Sequence, residues 1–168
     1  MTQHRSIGMR RWLIATLVVG IGGAAAMTSA SAAAEPAQVT QGALAPFAAG
    51  VGGTVSGQAH MVRNASGATI VSLHVKGLVA GATYASHVHA APCGVGAADG
   101  HYKLDPSGPV VPPNEIWPGD GPFVAGPAGS ANLRAVANFR AGETAVSVVV
   151  HDLSLPSTAN KVACADLG

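Results

Sequence analysis

The stretch ATIVSLHVKGL, residues 68–78, decides the fold class of this protein. Apolar and polar side chains alternate along it, and the apolar members are Val71, Leu73 and Val75. Because successive side chains of a β-strand point to opposite faces, the pattern predicts a strand with one face in a core and the other in solvent. His74 falls on the polar face, so we expect its imidazole to be exposed.

Strand patterns continue on both sides of this stretch. GTVSGQAHMVRN precedes it and ends at the turn signal NASG, whereas GLVAGATYASHVHA contains a turn and then another strand-like run. We interpret residues 53–90 as three antiparallel strands joined by short turns. NLRAVANF and TAVSVVVHDL, at residues 132–139 and 144–153, resume the pattern, and no stretch has a sustained helical period. The sequence predicts an all-β sandwich or barrel.

Residues 91–133 interrupt these runs with a segment rich in proline and glycine. It is too long for a plain connection in a small domain, and long structured loops usually carry function. We therefore expect one long functional loop.

The first 34 residues have the features of a secretory signal peptide. A basic start is followed by the apolar run WLIATLVVGIGGAAAM and the small-residue zone TSASAAAEPAQ. The apolar run is short for a permanent membrane span. We expect export to a secreted or extracytoplasmic location, cleavage after Ala32 or Ala34, and no stable membrane association; Sec and twin-arginine export both remain open. Residues 35–52 have no clear period and are expected to be a linker or a loosely ordered segment, with the β-domain at 53–168.

The charge of the exported part argues against one class of protein. Without residues 1–34, six basic and eight acidic residues remain, a net charge of −2, which argues against a nucleic-acid-binding protein.

Cys93 and Cys164 both lie in the exported part, and an even count of cysteines in an oxidising compartment predicts a disulfide. The bond would close a loop of about 70 residues and contribute on the order of 4 kcal/mol.

Histidines are the candidate metal ligands. His87 and His89 are two residues apart, so in a strand they share a face at a spacing of about 7 Å, with Tyr84 and Val88 on the opposite face. A His-x-His pair is a weak signal alone, and it becomes stronger when further histidines join it. His151 follows a run of valines whose alternation points it outward as well.

A fourth histidine, His101, lies in the long loop. His87, His89 and His151 can all stand on the outer surface of a filled barrel, and His101 follows His89 by twelve residues. A set of imidazoles without thiolates suits Cu(II), with Zn(II) as second choice.

Four motifs together resemble the copper–zinc superoxide dismutases. GLVAGATYASHVHAAPC, GHYKLDP, VVVHD and KVAC occur in the order seen in that family, over about residues 53–168. The resemblance implies a Greek-key β-barrel with copper on its outer wall. It matches His87, His89 and His151 to copper ligands and His101 to the histidine that bridges copper and zinc. It also matches Cys93 and Cys164 to the intrachain disulfide.

Departures from the family pattern indicate its copper-only branch. No histidine lies between His101 and His151, so the remaining zinc histidines are missing, and Trp117 stands where one of them would be. Asp120 aligns with the zinc aspartate, but one carboxylate and one histidine do not make a four-ligand zinc site. Twelve residues separate His151 from Cys164, too few for the family's electrostatic loop. We expect copper without zinc.

The resemblance implies an exported copper-dependent superoxide dismutase that converts superoxide to O₂ and H₂O₂. His101 would be a mobile ligand and proton carrier, and a carboxylate would orient it, Asp120 slightly ahead of Glu115. Lys161 would guide the anion where the family commonly has arginine. The alternative is a non-catalytic or weakly active copper-binding protein of the same fold. The sequence leaves the oligomeric state open.

Overall fold

Eight antiparallel strands form a nearly closed barrel in the computed structural model, which describes residues 35–47 and 54–168. The strands are β1 (Gln38–Pro46), β2 (Ser56–Arg63), β3 (Thr69–Lys76), β4 (Thr83–His89), β5 (Phe123–Val124), β6 (Ser130–Ala137), β7 (Ser147–Asp152) and β8 (Lys161–Asp166). Their order in the sheet is β5-β4-β7-β8-β1-β2-β3-β6. The predicted all-β barrel is confirmed, whereas the predicted signal peptide, residues 1–34, lies outside the described residues.

The core fills the barrel with the side chains that the alternation predicts. Strand β3 alternates strictly between buried and less buried positions, and its histidine, His74, is exposed as expected. The largest fully buried apolar side chains are Met61, Leu73, Ile116, Val71, Val75, Val88, Val148, Val149 and Val150. Tyr84 and Val88 point into this core, so the opposite face of β4 carries His87 and His89 outward from the barrel axis.

The pairing partners of β4 differ from one expectation. Strands β2 and β3 pair as predicted, but β4 pairs with β5 and β7, and the partner of β3 on its other side is β6. The prediction of three successive paired strands in residues 53–90 is therefore wrong for the third strand. Alternation reveals that a strand exists, whereas the choice of its partner depends on contacts distant in sequence.

Residues 35–52 also differ from expectation, because they contain β1 instead of a plain linker. This strand pairs with β2 from Gln38 to Leu44, and its last residues reach β8. Leu44 is the one fully buried side chain in β1. The strand is thus held by backbone hydrogen bonds more than by burial, and its sequence shows no apolar period. The barrel begins before residue 53.

The long loop lies between β4 and β5, at residues 90–122, and it is fastened back onto β4. The Tyr102 amide donates to the Val88 carbonyl at 2.9 Å, and the Val88 amide donates to the Ile116 carbonyl at 3.0 Å. The span predicted from the sequence, 91–133, is too long, because it includes β5 and the first residues of β6. These hydrogen bonds place two loop segments beside the histidines of β4.

Cys93 and Cys164 form the predicted disulfide, which joins the long loop to β8 across 71 residues of sequence. The Cys93 amide also donates to Asp166 Oδ1 at 2.7 Å, so this part of the loop has a second attachment to the same strand. In the described part of the chain there is no helix with the length and apolar character needed to cross a membrane.

Candidate metal centre

Three histidines from two neighbouring strands bring their ring nitrogens together. Strand β7 pairs with β4 so that His151 lies opposite Ala85, on the face that carries His87 and His89. One nitrogen from each of the three rings lies within 4.8 Å of the others. His89 Nε2 is 3.0 Å from His87 Nδ1 and 3.4 Å from His151 Nε2. The strand pairing itself therefore builds the cluster.

These imidazoles are buried, which corrects the expectation that they stand on an outer surface. The exposed fractions are 4% for His87, 0% for His89 and 5% for His151. They do point away from the barrel core, but the long loop and the β7–β8 connection cover them. Val149, predicted to point outward with His151, is also fully buried, and it packs against Ala98 of that loop. Alternation assigns the face of a strand but does not show what covers it.

In His89 and His151, a hydrogen bond made by one ring nitrogen leaves the other nitrogen free to bind a metal. His89 Nδ1 lies 2.6 Å from the Ala98 carbonyl, which only accepts, so this nitrogen donates and Nε2 keeps its lone pair. His151 Nδ1 lies 3.0 Å from Asn160 Oδ1 and donates in the same way. His87 faces the cluster with Nδ1. The free nitrogens of His89 and His151 thus lie close to Nδ1 of His87, and a group of three such atoms could hold a metal ion.

His101 adds a fourth ring from the long loop. An isolated antiparallel bridge joins it to His89, and its ring centroid lies 3.9 Å from that of His87. His101 Nδ1 is 2.9 Å from Glu115 Oε1, and the side chain is 33% exposed whereas that of Glu115 is 0% exposed. Glu115 Oε2 accepts a hydrogen bond from Trp117 Nε1 at 2.7 Å.

The carboxylate beside His101 is Glu115, although the sequence slightly favoured Asp120. Asp120 is exposed and lies in a tight turn, where its amide donates to the Trp117 carbonyl at 2.7 Å. None of the side-chain hydrogen bonds among residues 35–47 and 54–168 joins Asp120 to His101. Of the two acids that the sequence offered, the structure places Glu115 beside His101, and its neighbour Ile116 packs in the core.

Burial keeps the clustered imidazoles uncharged. It lowers the pKa of His89 to about 3 and that of His151 to about 4, although hydrogen bonds to Ala98 and Asn160 partly oppose the shift. Burial, followed by repulsion from the neighbouring rings, lowers the pKa of His87 as well. Neutral imidazoles present lone pairs, so the cluster is ready to bind a metal at neutral pH.

A cleft of about 460 Å³ leads to these rings, and Lys161 lies on its wall. Lys161 Nζ donates to the carbonyls of Ala97 at 2.8 Å and Ala98 at 3.2 Å. Both alanines adopt positive φ, 55° and 52°, which turns their carbonyls toward the site. The Ala98 carbonyl thus accepts from both His89 and Lys161, a link that no sequence motif indicates.

No protein-family model matches the chain, and no curated protein matches it. What can be said of function therefore rests on the chemistry of this site.

Proposed function

We propose that this protein is an extracytoplasmic copper-dependent superoxide dismutase. The main support for the proposal is that ring nitrogens of three buried histidines lie close together in the wall of a cleft. Separations of 3.0 and 3.4 Å between nitrogens suit a single ion, because metal–imidazole bonds are about 2 Å long. A donor set made of imidazoles without thiolates favours Cu(II).

The ligand atoms follow from the hydrogen bonds. His87 would bind through Nδ1, and His89 and His151 through Nε2, because their other nitrogens donate to Ala98 and Asn160. His101 would supply the fourth nitrogen through Nε2, since its Nδ1 pairs with Glu115. Its greater exposure suits a ligand that also contacts solvent.

Two superoxide anions and two protons give one O₂ and one H₂O₂. Copper, when bound, would supply the one-electron chemistry by taking an electron from one superoxide and returning it to another. The cleft admits the small anion, and the ammonium group of Lys161 contributes positive charge beside the histidines. A charge of one sign in a cleft raises the local concentration of the opposite ion.

His101 is the residue that can deliver a proton. Its Nε2 can take up a proton from water because the ring is partly exposed. Meanwhile Nδ1 remains attached to Glu115, so the ring keeps its place whether or not Nε2 is protonated.

Copper without zinc is the metal content that this site favours. A histidine that bridges two metals must offer both of its ring nitrogens. His101 has Nδ1 engaged with Glu115 at 2.9 Å, and Trp117 donates to the second oxygen of that carboxylate. A carboxylate and an indole therefore hold the side of the ring where a second metal would sit.

The alternative is a copper-binding protein of the same fold with little or no turnover. The position of Lys161 favours it, because its Nζ donates to two carbonyls at 2.8 and 3.2 Å. That ammonium group is compensated in part by the carbonyl dipoles, and less of its field acts on an incoming anion. Export is part of the main proposal, and the disulfide is compatible with an oxidising compartment.

Copper loading tests the proposal. The protein should bind one equivalent of Cu(II) with nitrogen hyperfine structure in its electron paramagnetic resonance spectrum and should accelerate superoxide loss. His74→Ala, at an exposed strand position, is the matched control and should change neither property. Stoichiometric binding without accelerated loss would leave the alternative, and failure to bind copper would overturn both.

A further inference from the structure

Glu115 is a buried carboxylate, and each of its two oxygens has a hydrogen-bond partner. Oε1 lies 2.9 Å from His101 Nδ1, and Oε2 accepts from Trp117 Nε1 at 2.7 Å. The side chain of Glu115 has no exposure to water, so it depends on these two donors. Burying a charged group is costly unless its hydrogen-bond partners are present, so each of these two contacts matters to the position of the carboxylate.

Trp117 also touches the histidine cluster directly. Its ring centroid lies 5.0 Å from that of His87 at a 37° tilt, and the His87 centroid also lies 3.9 Å from that of His101. His87 thus packs against both the indole and the loop histidine. Trp117 therefore contacts the cluster in two ways: it donates to the carboxylate beside His101, and it packs against His87.

The backbone places both side chains near the site. Ile116, between Glu115 and Trp117, is 1% exposed and belongs to the barrel core. Its carbonyl accepts from the Val88 amide at 3.0 Å, beside the two histidines of β4. Trp117, the next residue, lines the metal cleft, and Glu115, the preceding one, is bonded to His101, which also lines it. The segment is anchored on the strand that carries His87 and His89.

Trp117 is also the wall between two concave surfaces. It lines the metal cleft on one side and, on the other, an apolar groove that Leu104, Val136 and Phe139 also line. Glu115 lines the same groove as Trp117, although its side chain has no exposure to water. The indole thus packs where the groove and the metal cleft meet, next to the carboxylate to which it donates.

We infer that Trp117 is a positioning residue, which acts through its Nε1–H on Glu115 and thereby fixes His101 for the fourth metal contact. This inference rests on the proposed copper site, but it does not require that the site turn over superoxide. Partners that orient metal-binding histidines typically change metal affinity by about 10–100-fold when they are removed.

Two variants and their combination test this role. Trp117→Phe keeps an aromatic ring against His87 and removes the donor, and Glu115→Gln removes the charge that the donor serves. We expect the copper dissociation constant to rise about tenfold or more in Trp117→Phe, but less than twofold when Trp117→Phe is added to Glu115→Gln. Leu104→Ala, which alters an exposed side chain of the same groove without removing a hydrogen bond to Glu115, should leave the constant within twofold of the wild type.

A measurement without copper uses nuclear magnetic resonance of ring N–H protons. In the wild type the His101 Nδ1–H and the Trp117 indole N–H should exchange slowly with water, and Trp117→Phe should speed exchange at His101 about tenfold. Fast exchange of the indole proton in the unmodified chain would overturn the inference, even if a variant fails to fold. Equal copper losses with and without Glu115, or the same loss in Leu104→Ala, would overturn it too. Because neither readout is turnover, absence of dismutation would leave this test intact.

Discussion

His101 and Glu115 are joined by a hydrogen bond, with Nδ1 of the imidazole 2.9 Å from Oε1 of the carboxylate. The pair joins a partly exposed ring to a fully buried acid, and both come from the long loop. It fixes the orientation of His101 and leaves Nε2 as the free nitrogen. Several consequences can be measured.

Glu115→Gln should weaken the site without unfolding the barrel. The amide has nearly the same shape, but it lacks the charge that attracts the His101 proton and the Trp117 indole. We expect the copper dissociation constant, measured by competitive titration, to rise about 10–100-fold. Asp120→Asn is the matched control, because that acid is exposed and is not bonded to His101. A larger loss in Asp120→Asn than in Glu115→Gln would assign the orienting role to the other acid.

Lys161→Met should slow the reaction with superoxide and flatten its salt dependence. The ammonium group is the cation on the wall of the metal cleft, and screening by salt reduces its attraction for an anion. We expect the second-order rate constant at low salt to fall about tenfold, with Lys161→Arg close to the wild type. Lys76→Met removes an exposed charge on β3 and serves as control. An unchanged rate in Lys161→Met would show that the two carbonyls already compensate its charge.

The metal-free protein should lose stability as the pH falls from about 6.5 toward 4. The pKa values of His89 and His151 are lowered to about 3 and about 4 by burial, whereas in the unfolded chain they return to about 6.5. Between these values the unfolded chain binds more protons than the folded one, so the free energy of unfolding decreases as the pH falls. Each such histidine contributes a slope of about 1.4 kcal/mol per pH unit.

Urea unfolding at several pH values measures this slope. His151→Gln should reduce the slope by about the contribution of one histidine. His74→Gln, at an exposed position, should leave the slope unchanged. A free energy of unfolding that stays flat from pH 6.5 to 4 would contradict the burial of neutral imidazoles. Bound copper should protect against the loss, because protons and metal compete for the same nitrogens.

Removing the disulfide should affect both stability and the metal site. Serine at Cys93 and Cys164 together should lower the free energy of unfolding by about 2–5 kcal/mol. The bond also fastens the loop that carries Ala98, whose carbonyl holds His89, so copper affinity should fall as well. A reducing agent should lower the melting temperature of the wild type and leave the serine variant unchanged. Equal melting temperatures for the two proteins under oxidising conditions would contradict this prediction.

The side chains that pack in the core could be predicted from the sequence. Val71, Leu73 and Val75 alternate because one face of β3 is buried, and the same rule separates Val88 from its two histidine neighbours. The disulfide followed from the presence of two cysteines in a segment expected to be exported. These features leave periodic or compositional traces in a sequence.

Two kinds of feature could not be predicted in this way. One is set by the long loop, and the other is a strand with few buried side chains. Strand β1 buries one residue, Leu44, so no period marks it. The Ala98 carbonyl of the loop bonds His89, and Glu115 lies beside His101 next to the core residue Ile116, and no periodic pattern marks either contact. Asn160, which fixes the tautomer of His151, has no motif around it that indicates such a role.

Dismutation is tested most directly by following the decay of superoxide after pulse radiolysis in the presence of protein loaded with one copper equivalent. The decay rate should be proportional to protein concentration and far above the spontaneous rate. His151→Ala should abolish this acceleration, and His74→Ala should preserve it. Stoichiometric copper bound by the histidines, with superoxide decaying no faster than in buffer, would contradict the proposed dismutase activity.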